Sequence, residues 1–265
     1  MKAISVCSFK GGTAKTSIAL NVGASLAHFH ERKVLMIDFD AQANLTAGLG
    51  FDPDGHDSLA SVLQDKKSIQ EVIIHTNHPK IDLIPADTWL ERVEVSGTLA
   101  SDRYSHEKLQ KLIAPLNYDF LIIDTPPSLC WLTESSLIAC DYALVCATPE
   151  FYSIKGLQRL SYFMHYIGQR HPFEMLGVAL SFWSARGKNN EEFLKIVEET
   201  FPEKAFNTKI RRDVAVSNAS ILGKSVIETH PKSRAAEDYR ELTHEILAAI
   251  ENVNRETPCL SSTHS

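Results

Sequence analysis

Short apolar runs recur along this chain, separated by longer segments of mixed polarity. Five of the runs are rich in Val, Ile and Leu and span residues 3–9, 33–38, 118–124, 141–149 and 175–182, and a shorter sixth spans residues 81–86. Apolar and polar positions do not alternate within these runs, which is the pattern of strands buried on both faces of a parallel sheet. The pattern therefore predicts a mostly parallel sheet in the interior of the domain.

The segments between the runs carry apolar residues at helical spacing, most clearly in residues 16–30, 153–168 and 234–253. Strands that alternate with helices predict right-handed crossovers and a three-layer α/β domain, with helices on both sides of a twisted sheet. No internal repeat or linker divides the chain, so we expect one domain over residues 1–253. Residues 254–265 are polar, and we expect a disordered tail there.

Composition narrows the class of protein. The 265 residues are 44% hydrophobic and 23% charged, as in ordinary globular domains. No apolar run reaches the roughly 18 residues of a membrane span, and no signal-peptide pattern opens the chain, so we expect a cytoplasmic protein. The net charge of −6 argues against a broadly basic nucleic-acid-binding surface but is compatible with a local basic patch.

Cysteine usage also fits the expected cytoplasmic location. The five cysteines are odd in number, and no two have C-x-x-C spacing: Cys7, Cys130, Cys140, Cys146 and Cys259. This pattern argues against a disulfide framework or a zinc site and favours reduced thiols.

The most specific motif is SFKGGTAKTS at residues 8–17, which follows the first predicted strand and precedes the first predicted helix. It departs from the strict G-x-x-x-x-G-K-[ST] pattern because Phe9 and Ala14 occupy the two glycine positions. Gly11 and Gly12 still allow a tight turn that brings backbone N–H groups against phosphate oxygens. The following helix N-terminus also favours an anion. The segment predicts a phosphate-binding loop.

Two side chains in this loop have predicted chemistry. Lys15 is expected to reach the β- and γ-phosphates of ATP, and the Thr16 hydroxyl is expected to ligate Mg²⁺. We expect nucleotide contacts from the whole loop: Lys10, Gly11, Gly12, Thr13, Ala14, Lys15, Thr16 and Ser17.

Lys10 stands ahead of the two glycines, too early to duplicate Lys15. The pattern x-K-G-G-x-x-K-[ST] at residues 9–16 resembles the deviant Walker ATPases at every fixed position, and the chain is most similar to their ParA, Soj and MinD branch. The resemblance implies an ATP-dependent homodimer in which Lys10 reaches the partner subunit's phosphates. There it would neutralise charge at the γ-phosphate, as an arginine finger does in trans.

Two predicted strands end in acidic residues, at Asp38 and at Asp124, and Asp40 follows in the loop after the first. Ligands of open α/β sheets gather at the carboxyl ends of strands. Asp124 ends a hydrophobic strand in the manner of a Walker B motif, which contacts Mg²⁺ and the nucleotide site, usually through water. The ParA resemblance implies that Asp40 orients or deprotonates the attacking water and that Asp38 supports the Mg²⁺ shell. For Asp38, a simple strand-end cap is the alternative.

These assignments give two sets of residues. The expected catalytic residues are Lys10, Lys15 and Asp40, and the expected metal-site residues are Thr16, Asp38 and Asp124.

The resemblance to ParA proteins extends over residues 2–250, including the later segments 208–226 and 230–246. It implies that the base of ATP lies beside residues 208–212, with contacts from Thr208 and Ile210. It also implies a non-specific DNA surface formed by Arg211, Arg212, Lys224, Lys232 and Arg234. A few basic residues on one rim suffice for backbone binding despite the net negative charge. Ion pairs with carboxylates such as Asp213 or Glu237 are the alternative.

The function that the resemblance implies is DNA segregation by a slow, Mg²⁺-dependent ATPase. Its ATP-bound dimer would bind DNA without sequence preference, on the nucleoid, and a ParB-type partner would stimulate hydrolysis. The chain has no helix-turn-helix extension ahead of its phosphate loop, which is typical of the small ParA form. The cargo could be a chromosome, a plasmid or another particle.

Three other functions are compatible with the fold. A MinD-like membrane ATPase would need a basic amphipathic C-terminal helix, which residues 254–265 do not provide. A reductase similar to the nitrogenase iron protein would need a second suitably spaced cysteine besides Cys130. A binding scaffold that hardly turns over is disfavoured by the intact Asp40.

Overall fold

The computed structural model of the chain describes residues 1–95, 105–150, 153–184, 187 and 190–256. Eight strands in these residues form one sheet: β1 (Lys2–Cys7), β2 (Val34–Asp38), β3 (Ile74–His75), β4 (Ile81–Ile84), β5 (Phe120–Asp124), β6 (Tyr142–Ala147), β7 (Glu174–Trp183) and β8 (Ala205–Arg211). Their order is β3-β4-β2-β5-β1-β6-β7-β8. All neighbours are parallel except the antiparallel pair β3 and β4, which confirms the predicted sheet.

The apolar runs did not reveal the two edge strands. β3 has only two residues, too few to produce a pattern. β8 alternates between buried, half-buried and exposed positions, because one side of an edge strand lacks a neighbour and its face is only partly covered. A continuous apolar run marks only strands that are buried on both faces.

Helices connect the strands in the described residues: α1 (Lys15–Phe29), α2 (Asn44–Gly48), α3 (Leu59–Leu63), α4 (Trp89–Val95), α5 (Lys108–Ile113), α6 (Trp131–Ala139), α7 (Ser153–Gly168), α8 (Asn190–Thr200), α9 (Val214–Ile221), α10 (Val226–Thr229) and α11 (Arg234–Glu256). The three helices predicted from spacing are confirmed as α1, α7 and α11. The last helix continues to Glu256, so the first three residues of the expected disordered tail are helical. Residues 257–265 lie outside the described residues.

Two apolar cores lie on opposite faces of the sheet. Successive residues of β2 show this division, since Leu35 and Ile37 belong to one core and Val34 and Met36 to the other. Helices α1, α9, α10 and α11 cover the Met36 face, and α5 to α8 cover the Leu35 face. The domain is therefore a three-layer α/β structure, as predicted, because a sheet with two apolar faces requires a helical layer on each.

A glycine inside α1 sets how closely this helix approaches the sheet. A Cβ atom at Gly23 would lie 2.2 Å from the Cε atom of Met36. The missing side chain lets α1 pack tightly on β2 and β5, and this packing holds the N-terminus of α1 at the carboxyl edge of the sheet.

None of the helices in the described residues combines the length and the apolar character that crossing a membrane requires. No disulfide joins the four cysteines of the described residues, Cys7, Cys130, Cys140 and Cys146. Cys259 lies outside the described residues.

Candidate nucleotide-binding site

The loop between β1 and α1 has a backbone suited to an anion. Gly12 has a φ of 77° and Ala14 a φ of 61°, and Ala14 is the N-cap of α1 with no side-chain hydrogen bond to the helix. A left-handed alanine costs about 1–2 kcal/mol, so the fold must hold this turn in place. The first amides of α1 therefore have no side-chain acceptor from the N-cap and can serve an anion.

Phe9 explains one departure from the strict phosphate-loop pattern. Its ring lies against the backbone of Gly156 in α7, where a Cβ atom would come within 1.7 Å of the ring. Phe9 also packs against one apolar core. The aromatic side chain attaches the start of the loop to α7, and this contact places Lys10, the next residue, at the side of the site next to α7.

Asp38 and Asp124 close adjacent strands and are register partners between β2 and β5. Both carboxylate oxygens of Asp38 accept hydrogen bonds: Oδ2 accepts from the backbone N and Oγ1 of Thr46 at 2.8 Å and 2.7 Å, and Oδ1 accepts from the Asp40 N–H at 3.3 Å. Burial raises the pKa of Asp38 to about 6, and these hydrogen bonds act in the opposite direction. The bonds favour the capping alternative for Asp38, because they occupy the carboxylate oxygens that would otherwise face a metal.

Asp124 is buried, and neither of its carboxylate oxygens has a hydrogen-bond partner in the described residues. Burial, together with the neighbouring Asp38 carboxylate, raises the pKa of Asp124 to about 8, although the Lys15 ammonium and the Thr16 hydroxyl act in the opposite direction. Lys15 and Thr16 offset only part of the cost of burying this carboxylate, and a divalent cation would supply the missing charge.

The residues present fit an Mg²⁺ ion bound together with a nucleotide. Asp124 offers free oxygens beside the Thr16 hydroxyl, and hard oxygen donors of this kind suit Mg²⁺. Among the described residues, no three carboxylate, imidazole or thiol groups converge as a complete metal cage. Mg²⁺ usually takes only one or two protein oxygens and completes its shell with water and phosphate.

Lys15 and Asp40 face each other across this site. Both are buried, and burial raises the pKa of Asp40 while a hydrogen bond from Gln42 and the Lys15 ammonium oppose the rise. The Asp40 Oδ1 accepts from the Gln42 N–H at 3.0 Å, so the carboxylate is held by its own loop. The structure thus brings Lys15, Asp40, Asp124 and Thr16 together at one edge of the sheet.

Lys10 forms an ion pair with Glu150, directly after β6, within the same chain. Both side chains are substantially exposed, at 37% and 54%, so the pair is worth at most about 1 kcal/mol. The pair keeps the Lys10 ammonium at the side of the loop, and a modest competing interaction would release it.

An apolar cavity of about 570 Å³ opens beside the loop. Ala14, Ser17 and Ile210 are among the residues that line it, and Ile210 is one of the two residues expected to contact the base. Thr208 does not line it: its N–H and hydroxyl donate to Glu245 on α11 at 2.7 Å and 2.5 Å. The expected contact from Thr208 is therefore not supported, because these hydrogen bonds hold its polar atoms against α11.

Sequence reasoning missed several residues of this cavity, among them Ser181 and Phe182 near the end of β7. The Ser181 Oγ is buried without a hydrogen-bond partner in the described residues. Phe182 has a φ of 53°, and its ring lies 5.0 Å from the Arg212 guanidinium. Their position at the carboxyl end of a strand was the available signal.

The five expected DNA-binding residues differ in whether their side chains are held by other residues of the chain or are exposed. Arg211 is held inside the chain, because its Nη2 and Nε donate to buried Asp238 at 2.6 Å and 3.1 Å and Glu237 lies 3.5 Å away. This supports the ion-pair alternative for Arg211. Arg212 lines the cavity. Exposed side chains are found at Lys224, Lys232 and Arg234.

Comparisons with known proteins agree with this geometry. Residues 1–175 match the family described as AAA domain. A ParA family protein of Chlamydia pneumoniae is 62% identical over 255 residues, which cover 96% of this chain and 100% of that protein. The sporulation initiation inhibitor protein Soj of Bacillus subtilis (strain 168) is 33% identical over 250 residues, which cover 93% of this chain and 98% of that protein.

A solved structure carries the same fold. The septum site-determining protein MinD from Pyrococcus horikoshii OT3, complexed with Mg-ADP, superposes with a TM-score of 0.76 at 25% identity, covering 94% of this chain and 98% of that one. Sequence identity over nearly the whole length, together with the phosphate loop and its acidic partners, shows that the chain belongs to the ParA family.

Proposed function

We propose that this chain partitions DNA by means of an ATP-switched homodimer. The chain is a ParA-family ATPase that uses ATP and Mg²⁺. The observation that carries the nucleotide chemistry is Asp124, a buried carboxylate close to Thr16 and Lys15 whose oxygens accept no well-formed hydrogen bond in the described residues. Bound Mg²⁺ supplies positive charge against the phosphate oxygens.

In this proposal the phosphate loop binds and orients ATP. The free amides at the start of α1 face the phosphates, and the Lys15 ammonium neutralises charge on the β- and γ-phosphates. Asp40 orients the attacking water and accepts its proton. The raised pKa of Asp40 fits that task, because a carboxylate closer to neutral pH is a better proton acceptor.

The base of ATP would occupy the cavity between the loop and β8. Ile210 gives it an apolar wall, the Phe182 ring can stack, and the unpartnered Ser181 hydroxyl can hydrogen-bond a ring nitrogen or an amino group.

Dimerisation would follow ATP binding. Lys10 would leave Glu150 and enter the partner subunit's site, where it meets a triphosphate of far higher charge than one exposed carboxylate. The closed dimer would align the exposed Lys224, Lys232 and Arg234 of both subunits, giving salt-sensitive binding to the DNA backbone. A ParB-type protein would then stimulate hydrolysis and release the DNA.

The test is a measurement of size and DNA binding with ATP, ADP and no nucleotide, in light scattering and gel-shift assays. We expect a dimer and a DNA shift only with ATP and Mg²⁺, and neither from Lys15→Ala, which should lose nucleotide binding. Liposomes in place of DNA serve as the comparison. If liposomes but not DNA bind the ATP form and stimulate hydrolysis, a MinD-like function replaces partitioning.

A further inference from the structure

Thr46 is a buried residue of α2 that connects three parts of the site. Its backbone N–H and hydroxyl both contact the Asp38 Oδ2, at 2.8 Å and 2.7 Å. The same hydroxyl oxygen accepts the N–H of Ala86 at 3.1 Å, from the segment after β4. One hydroxyl therefore joins the ends of two neighbouring parallel strands.

The direction of these hydrogen bonds is determined by the groups involved. The Ala86 N–H can only donate, so it uses a lone pair of the Thr46 oxygen, and the single hydroxyl proton is left for Asp38. The Asp38 Oδ2 thus receives two donors from one residue, and this arrangement fixes the plane of the carboxylate.

Asp38 in turn holds the loop that carries Asp40. Its Oδ1 accepts the Asp40 N–H at 3.3 Å, and the loop then turns through Ala43, which has a φ of 51°. With Oδ2 fixed by Thr46 and Oδ1 directed at the Asp40 backbone, the carboxylate of Asp38 acts as a bracket for the loop.

We infer that Thr46 is a positioning residue for ATP hydrolysis, which acts through Asp38 to hold Asp40 in place. The inference rests on the proposed role of Asp40. It assigns to Asp38 the role of a loop anchor and leaves the metal to Thr16 and Asp124. No atom of Thr46 needs to touch the nucleotide, so the residue should influence hydrolysis far more than binding.

The experiment compares Thr46→Val, which keeps the shape and loses the hydroxyl, with Thr46→Ser, which keeps the hydroxyl. We expect Thr46→Val to lower kcat by about 10- to 100-fold, as small displacements of catalytic groups do, with the Kd for Mg-ATP within about threefold of wild type. Thr46→Ser should restore kcat to within about threefold of wild type by the same argument.

The matched control is Thr243→Val in α11, where a buried threonine hydroxyl donates to the Tyr239 carbonyl at 2.7 Å, on a helix that carries none of the phosphate-site residues. It should lower the urea midpoint without changing kcat per folded molecule. Equal losses of kcat in Thr46→Val and Thr243→Val would show a general effect of destabilisation and overturn the inference. A wild-type kcat in Thr46→Val would overturn it as well.

A further variant covers the case in which Thr46→Val does not fold. Thr46→Cys has a side chain of similar size with a weaker donor, so we expect a kcat below that of Thr46→Ser, and a kcat equal to that of Thr46→Ser would overturn the inference. The proposed role of Asp40 is tested separately, and it fails if Asp40→Ala hydrolyses ATP at the wild-type rate. Because Thr46→Val retains Asp40, its kcat does not decide that question, and the two failures can be told apart.

Discussion

Gly50 and Gly223 meet backbone to backbone: a Cβ atom on Gly223 would lie 2.4 Å from the Cα of Gly50. Both residues have positive φ, 85° at Gly50 and 64° at Gly223. Gly50 follows α2, which carries Thr46, and Gly223 follows α9 and precedes Lys224. The contact therefore joins the loop of the hydrolysis site to the segment of the proposed DNA surface.

Replacing Gly223 with alanine should destabilise the fold. The new methyl group would collide with backbone, which cannot rotate away, and would force alanine into a left-handed conformation. We expect Gly223→Ala to lower the free energy of unfolding by about 2–4 kcal/mol, measured by urea denaturation. The control is Gly168→Ala, where a Cβ meets nothing within 4 Å. Equal stability of the two variants would contradict the proposed backbone contact.

Asp124 should make the stability of the nucleotide-free protein depend on pH. Its pKa is about 8 when folded and close to the ordinary value near 4 when unfolded, so the folded chain binds an extra proton between these values. The free energy of unfolding should therefore fall as the pH rises from about 4 to about 8 and should level off above about 8. Asp124→Asn should lose this fall and should also lose Mg²⁺-dependent hydrolysis.

Urea midpoints between about pH 5 and pH 9, with EDTA present, measure this effect. The pH dependence that comes from groups shared by wild type and Asp124→Asn cancels when the two are compared. If wild type and Asp124→Asn show the same dependence on pH, Asp124 is already ionised in the free protein and the account of its burial is wrong.

Lys10 should act in dimerisation rather than in nucleotide binding. Lys10→Ala should bind ATP within about threefold of wild type, because exposed charges contribute little in their own subunit. It should fail to form the ATP-dependent dimer and fail to hydrolyse ATP. Fluorescent-nucleotide titration and light scattering separate the two effects. A dimer of normal affinity from Lys10→Ala would remove the proposed role in trans.

Asp40→Ala should uncouple assembly from turnover. Without the residue that orients water, the variant should bind ATP, dimerise and stay on DNA, while hydrolysis falls by about 100-fold or more. The measurement is the lifetime of the DNA complex after a chase with competitor DNA, alongside phosphate release. Rapid dissociation at the wild-type rate would show that hydrolysis does not control release.

The basic residues should divide into two groups. Lys224→Ala and Lys232→Ala should weaken DNA binding for all sequences and reduce the dependence of log K on log salt by about one per residue. Arg211→Ala should instead destabilise the fold, because buried Asp238 would lose its guanidinium partner. Salt titrations and urea unfolding on all three variants separate these outcomes. A DNA defect in Arg211→Ala at unchanged stability would contradict this division.

Much of this protein can be read from local sequence. Strands buried on both faces are continuous apolar runs, so β1, β2, β5, β6 and β7 were predictable. The phosphate loop was predictable as well, because its glycines and Lys15 lie within one segment of ten residues. The acidic ends of β2 and β5 were predictable too, since a strand delivers its last residue to the sheet edge.

What the sequence could not decide is which polar groups remain free after folding. Asp38 and Asp124 look alike as strand-end aspartates, yet Thr46 donates hydrogen bonds only to Asp38, and the Asp124 oxygens stay available to a cation. Arg211 and Lys224 look alike as basic residues, yet Asp238 holds only the arginine. Thr208 and Ile210 are two positions apart, and only one lines the cavity. By itself the chain determined its layers and its phosphate loop through local pattern, whereas the partner of each buried charge was decided by tertiary structure, because hydrogen bonds and ion pairs depend on distances between residues far apart in sequence.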